Sequence, residues 1–185
     1  KDQNPQYQVQ VLELEEPSEG LRELPAEVSL VMGAVPAGIK LTHVPVLESE
    51  QFVVTVHDRL LERAYGSQWQ EAARELAAEG NLRALKLCFF VQKPWGSFLR
   101  QQEDQLFFYA GFKPRSETEI GQLELAADFC RRGDAALILP EPVAWACFGK
   151  VPDTPGLRSY RLKTEHQRWQ LTICYPRERT LTPAE

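Results

Sequence analysis

The stretch Leu85–Phe112, LKLCFFVQKPWGSFLRQQEDQLFFYAGF, decides how this chain folds. Its first seven residues, Leu85 to Val91, are apolar on both faces apart from Lys86. That is the pattern of a strand covered on both sides, set in the middle of a sheet. Pro94 and Gly96 then break the run. From Trp95 onward two readings compete. Trp95, Phe98, Leu99, Gln102 and Leu106 keep helical spacing after Pro94. SFLRQQ and QLFFYAGF instead read as two strands joined at Glu103-Asp104, and the aromatic density of Leu106 to Tyr109 favours this hairpin.

Upstream, Gln51 to His57 (QFVVTVH) is rich in β-branched residues and predicts a strand. Asp58 to Tyr65 predicts a short helix, with Asp58 as its cap and Gly66 as its end. Ser67 to Glu79 predicts another. Ser67 and Gln70 form a capping-box pattern, Trp69, Ala72, Ala73, Leu76 and Ala77 form one apolar face, and Gly80 supplies the stop. Breakers fall at short intervals through the first fifty residues and leave room for short strands at Tyr7–Val11, Glu27–Met32 and Ile39–Val44.

Downstream, Ser116 to Arg132 predicts a helix opened by a Ser116/Glu119 capping box and closed by Gly133. Ala135–Leu139 and Val143–Phe148 read as strands. Ser159–Thr164 and Arg168–Tyr175 read as a hairpin with Arg161, Lys163 and Arg168 on one face. Strands and helices are interspersed without regular alternation, so the expected class is α+β: a mixed, largely antiparallel sheet with two or three packed helices. At 185 residues the chain fits a single domain over 1–185, with 1–6 and 176–185 as flexible tails.

A net charge of −5 gives no general affinity for nucleic acid or membrane surfaces. Acid is concentrated in the first thirty residues and base in residues 158–179. The four cysteines, Cys88, Cys130, Cys147 and Cys174, are scattered and mostly sit in apolar runs, where a thiol behaves as a small core residue. That favours a reducing, cytoplasmic setting. No apolar run has the length a membrane helix needs, so no membrane insertion is expected. The first residues are polar, unlike a signal peptide, and the start at Lys1 leaves open a removed leader or flanking part.

No convergent catalytic set emerges. Ser67 and Ser97 lack the downstream glycine of a nucleophile elbow. His57 and Asp58 are adjacent and would point apart in a strand, while His43 and His166 have no partners in sequence. No paired Cys/His spacing suggests a metal, and no glycine-rich phosphate loop is present. Lys113 and Arg115 lie beside an expected helix start, but Glu117 and Glu119 oppose an anion there. Leu106–Pro114 (LFFYAGFKP) resembles the late helix-to-strand passage of GNAT-type N-acetyltransferases. The upstream glycine motif of those enzymes is missing, so the resemblance is not adopted. No catalytic residue, metal or cofactor is therefore assigned.

Two surfaces remain. Lys93, Trp95, Phe98 and Arg100 surround the Pro94–Gly96 turn, and Trp and Arg are frequent interface anchors. The first reading is accordingly a non-enzymatic protein-interaction, assembly or accessory factor whose partner is another protein. The alternative is RNA or single-stranded nucleic-acid binding through Arg161, Lys163 and Arg168 on the terminal hairpin. An enzyme with an unrecognised site is a third.

Overall fold

A computed structural model describes residues 29–32, 41–49, 51–163 and 169–177. The chain divides into two compact units, Ser49–Trp169 and Lys1–Glu48 with Gln170–Glu185. The larger unit is built around β3 (Phe52–His57), whose six residues are all buried. Alternate side chains of such a strand face opposite sides, so both faces of the sheet must be covered. Leading out of β3 is α1 (Asp58–Tyr65). Its cap is His57 rather than the expected Asp58: the His57 Nδ1 accepts the Arg59 N–H at 3.1 Å. Asp58 lies in the first turn and pairs with Arg158 at 2.8 and 3.1 Å.

A 3₁₀ turn at Gly66–Gln68 leads into α2 (Trp69–Glu79). Ser67 is spent in that turn, so its expected capping box does not form. The stop at Gly80 is as expected: it adopts φ +62° and its N–H returns to the Leu76 carbonyl at 2.8 Å. The two helices pack together. Leu61 and Leu76, both fully buried, contribute about 2–3 kcal/mol each by leaving water.

The run after Leu85 starts as a turn, with Leu82–Leu85 in a 3₁₀ segment capped by Asn81. The strand β4 is shorter and later than expected, Phe89–Gln92. Then comes a helix, α3 (Phe98–Ala110), in place of the expected hairpin. Ser97 Oγ caps it by accepting the Arg100 N–H at 3.2 Å, and Gly111 closes it at φ +73°. The aromatic run that suggests strands is divided by helical rotation. Phe107 turns inward against Phe90 and Phe112, with ring centroids 4.9 and 5.4 Å away, while Phe108 and Tyr109 stay exposed.

Arg115–Glu119 is a strand, β5, and the helix α4 begins only at Leu123 and runs to Arg132. The Ser116 hydroxyl donates to the Thr118 carbonyl instead of capping a helix. After β6 (Ala136–Pro140) the expected strand at Val143–Phe148 is a helix, α5 (Glu141–Phe148). Val143, Ala144, Cys147 and Phe148 all pack on the core, at spacings that only a helix brings to one face. Last in this unit is β7 (Leu157–Arg161).

The α+β class and the mixed sheet are those expected. The strand order is β5-β4-β6-β3-β7; β5, β4 and β6 are parallel, and β3 runs antiparallel to both β6 and β7. Val53, Val91, Leu137 and Leu139 meet α4 and α5 on one face. Phe90, on the other face by alternation, meets α3.

In the smaller unit, β1 (Ser29–Met32), β2 (Leu41–Ser49) and β8 (Trp169–Pro176) form a sheet of order β1-β8-β2. Because β7 pairs with β3 and β8 with β1, the expected terminal hairpin is not formed. The strand expected at Tyr7–Val11 and the tail at 1–6 lie outside the described residues, as does most of the tail at 176–185. No described helix is long and apolar enough to cross a membrane.

His57 is also wedged between two glycines, since a Cβ at Gly156 or Gly133 would approach its side chain to 2.8 or 3.3 Å. His57→Ala removes the cap and leaves a void. Urea unfolding is expected to show a loss of about 1–3 kcal/mol, with α1 amide exchange accelerated first.

Candidate functional site

The three parallel strands of the larger unit all end at one edge, and each passes directly into a helix: β4 into α3, β5 into α4, β6 into α5. Three helix N-termini therefore gather where the strands finish. Each carries unpaired amides and the positive end of a dipole. Only α3 has a side-chain cap; Gln122 and Pro140 cap α4 and α5 without one. In α3 the Ser97 hydroxyl takes the Arg100 amide. The amides of Phe98 and Leu99 find no acceptor among the described residues.

The turn between β4 and α3 contains the four residues that stand out in the sequence, Lys93, Trp95, Phe98 and Arg100. The structure brings them into one corner and gives them different duties. Trp95 stands 78 % exposed. Arg100 lies beneath it, its guanidinium carbon 5.4 Å from the indole centroid. That guanidinium is held through two of its nitrogens: Nε donates to Asp104 at 2.9 Å, and Nη1 donates to Glu119 at 2.6 Å and to the Lys93 carbonyl at 3.2 Å. Arg100 thus ties the turn to α3 and to the end of β5. Phe98 is half-buried and Lys93 is buried. Lys93 is no surface cation; its backbone N–H donates to the Glu103 carboxylate at 3.0 Å.

Sequence reasoning misses the acidic and amide groups of this corner. Glu103, a hairpin tip by sequence pattern, lies on α3, is 2 % exposed, and has one oxygen, Oε1, without a hydrogen-bond partner among the described residues. Burial pushes its carboxyl up to about 8, against the partial relief of the Lys93 amide and the Lys93 and Arg100 charges. Glu119 is held below the ordinary carboxylate range, chiefly by its bond to Arg100. Its expected role as a capping residue is replaced by this ion pair. Helical spacing from Phe98 places Glu103 beside Leu106 and Phe107, which is the available signal.

On the α3 side of the sheet, α3 and β5 enclose a half-open groove of about 460 Å³ floored by Gln92 and walled by Arg100, Asp104, Lys113, Thr118 and Glu119. A shallower groove lies by Arg59, Glu62, Arg63 and Arg132. Two of its arginines are already tied to carbonyls, Arg63 to Gly133 and Arg132 to Asp128.

The other expected residues are dispersed. Arg161 pairs with Glu141 at 2.5 Å, Lys163 donates to the Ala78 carbonyl at 3.4 Å, and Arg168 lies outside the described residues. His57 is occupied as a helix cap, and His43 is exposed on β2. Burial raises the thiols of Cys88 and Cys130 to about 12, which keeps them inert. Among the described residues no group of His, Cys, Asp and Glu could hold a metal ion.

Comparison with known proteins adds a family and a fold. The family of the LysR substrate binding domain matches over residues 1–185. Full-length CbnR complexed with its target DNA superimposes with a TM-score of 0.60 at 19 % identity, over 88 % of this chain and 51 % of that one. The effector binding domain of QuiR in complex with shikimate gives 0.61 at 13 %, over 90 % and 69 %. The Synechocystis PCC6803 CcmR regulatory domain in complex with 2-PG gives 0.63 at 16 %, over 91 % and 74 %. The chain spans about half the length of the CbnR chain. No curated protein matches it.

Proposed function

This chain belongs to the LysR substrate-binding domain family, and from that premise we propose that it is the ligand-sensing part of a LysR-type transcriptional regulator. Membership overturns the expectation of an assembly or accessory factor whose partner is another protein. The alternative of nucleic-acid binding through a terminal hairpin falls with it, because β7 and β8 pair with different strands. In the proposed reading this chain takes a small-molecule effector. DNA is contacted by a part of the regulator outside it, as the CbnR complex with target DNA suggests. Such a regulator works in the cytoplasm.

The observation that carries the reading is the gathering of three helix N-termini at the carboxyl edge of β4, β5 and β6. Ligands of open parallel sheets bind beyond the carboxyl ends of the strands. Helix N-termini there favour negative charge. A small organic anion is therefore the expected effector, held by the amides of Phe98 and Leu99 and covered by Trp95. QuiR and CcmR are complexed with shikimate and 2-PG, which makes these two the first molecules to try.

Thermal unfolding in a panel of small organic acids, shikimate and 2-PG included, tests this. A ligand at one hundred times its Kd is expected to add about 2.7 kcal/mol of stability, and its binding should change the Trp95 fluorescence. Trp95→Ala should weaken that ligand at least tenfold. A panel in which no acid shifts the melting curve at millimolar concentration sinks the proposal.

A further inference from the structure

The corner that carries the strand-edge turn also holds a carboxyl with little to support its charge. Glu103 is 2 % exposed, and its two oxygens are used differently. Oε2 accepts the Lys93 backbone N–H at 3.0 Å, at the start of the turn that presents Trp95. Oε1 is buried with no hydrogen-bond partner among the described residues. Gln92, the preceding residue on β4, gives it no donor, because the Gln92 Nε2 is likewise buried and without a partner among them. A carboxylate so placed exchanges its hydration for one amide, which favours the protonated form.

The charges around Glu103 make that proton decisive. Arg100 and Asp104 stand beside it on α3, Lys93 at the end of β4, and Glu119 on β5 behind Arg100. Arg100 is paired with both Asp104 and Glu119. Arg83, on the 3₁₀ segment packed against α3, is exposed, as are Lys113 and Arg115 on the approach to β5. Lys93 and Arg100 balance Asp104 and Glu119. The corner is therefore neutral while Glu103 is protonated and carries one negative charge when it is ionised. Leu99, whose amide lacks an acceptor, precedes Glu103 by one helical turn, about 6 Å along the axis. An anion on the Phe98 and Leu99 amides then lies roughly 8–10 Å from the carboxylate. At that separation, with an effective dielectric constant of about 20 and some screening by salt, two like charges weaken each other's binding by about tenfold.

We propose, on the reading of the strand edge as an anion site, that Glu103 couples the effector to a proton: an organic anion binds the α3 N-terminus best while Glu103 is protonated, and its arrival draws a proton from solvent onto Glu103 where that residue is ionised. The proton returns to solvent when the anion leaves. By linkage, anion and proton favour one another equally. Burial delays ionisation of Glu103 to about 8, so anion affinity is level well below that pH and falls above it.

Calorimetric titration of the 185-residue chain at pH 6.5, 8 and 9.5 tests this. The probes are shikimate, benzoate and acetate, monocarboxylates of constant charge over that range. The tightest of the three is expected to bind roughly five- to tenfold more weakly at pH 9.5 than at pH 6.5. At pH 8, two buffers of different ionisation enthalpy should report uptake of about 0.4 proton per anion, and at pH 6.5 none. Glu103→Gln keeps an oxygen for the Lys93 N–H and cannot ionise, so its affinity should be the same at pH 6.5 and 9.5, without proton uptake. Equal wild-type affinity at both ends of the range, or a Glu103→Gln protein that keeps the wild-type slope, overturns the coupling and leaves the anion site standing. A Glu103→Gln protein that no longer binds at pH 6.5 also overturns it, by showing a purely structural role. If none of the three acids binds at any pH, the coupling and the anion site fall together.

Discussion

Glu103→Gln is expected to stabilise the protein by roughly 2–4 kcal/mol at pH 8.5 and to change it little at pH 5. The reason is the buried carboxyl of α3. In the unfolded chain it loses its proton near 4.5, whereas in the folded chain burial holds the proton until about 8. Between those values the folded state binds one proton more than the unfolded state, so stability falls as pH rises, by about 1.4 kcal/mol per unit. Below 4.5 this penalty is absent; above 8 it is complete. Glutamine keeps an oxygen for the Lys93 N–H, which Glu103 accepts at 3.0 Å, and carries no charge to desolvate. Denaturant unfolding of both proteins from pH 5 to 9 measures the effect. An equal difference at both ends of that range would show that the carboxyl does not titrate as its burial demands.

The second large effect is expected at the end of α2. Gly80→Ala should destabilise by roughly 2–5 kcal/mol, which lowers the melting temperature by roughly 5–15 °C. Gly80 sits at φ +62°, and a Cβ there would lie 2.8 Å from the Arg161 carbonyl oxygen and 2.9 Å from the Lys163 nitrogen. Both obstacles are backbone, and the Gly80 carbonyl accepts the Lys163 N–H at 2.9 Å. The helix end and the strand exit are thus in direct contact, with no side chain between them to yield. Gly111 provides the control. It too is left-handed, at φ +73° and ψ +30°, but nothing lies within 4 Å of the place a Cβ would occupy, so Gly111→Ala should cost only the dihedral penalty of about 1 kcal/mol. Equal losses at the two positions would argue that the close approach at Gly80 is unimportant.

Much of the larger unit is legible in the sequence where local pattern and tertiary packing agree. β3 announces itself by Val53, Val54 and Val56, α1 and α2 by their glycine stops, and β6 by an unbroken apolar run. Legibility fails where short-range chemistry points the wrong way. Ser116 and Glu119 have capping-box spacing, but Arg115–Glu119 is drawn into the sheet as the neighbour of β4. Leu106–Tyr109 and Val143–Phe148 have strand-like composition, and in both cases rotation on a helix decides which members are buried.

The candidate site is half legible. Lys93, Trp95, Phe98 and Arg100 emerge as a group because they punctuate a turn. Their division into an exposed indole, a buried lysine and a clamped guanidinium depends on Glu119, Asp104 and Glu103, which come from a strand and a helix the sequence does not reveal. Gln92 leaves no local signal at all: an amide at the end of an apolar run looks the same whether or not it has a partner.

The Arg100 clamp and the buried Glu103 share one corner, and acid acts on them differently. Glu103 is already neutral below about 8, so mild acidification finds no poorly solvated charge inside the corner. Glu119, kept anionic by Arg100 to lower pH than an ordinary carboxylate, goes on gripping the turn. The Trp95 turn should therefore outlast the average surface ion pair as the medium sours, and loosen only once Glu119 itself takes up a proton.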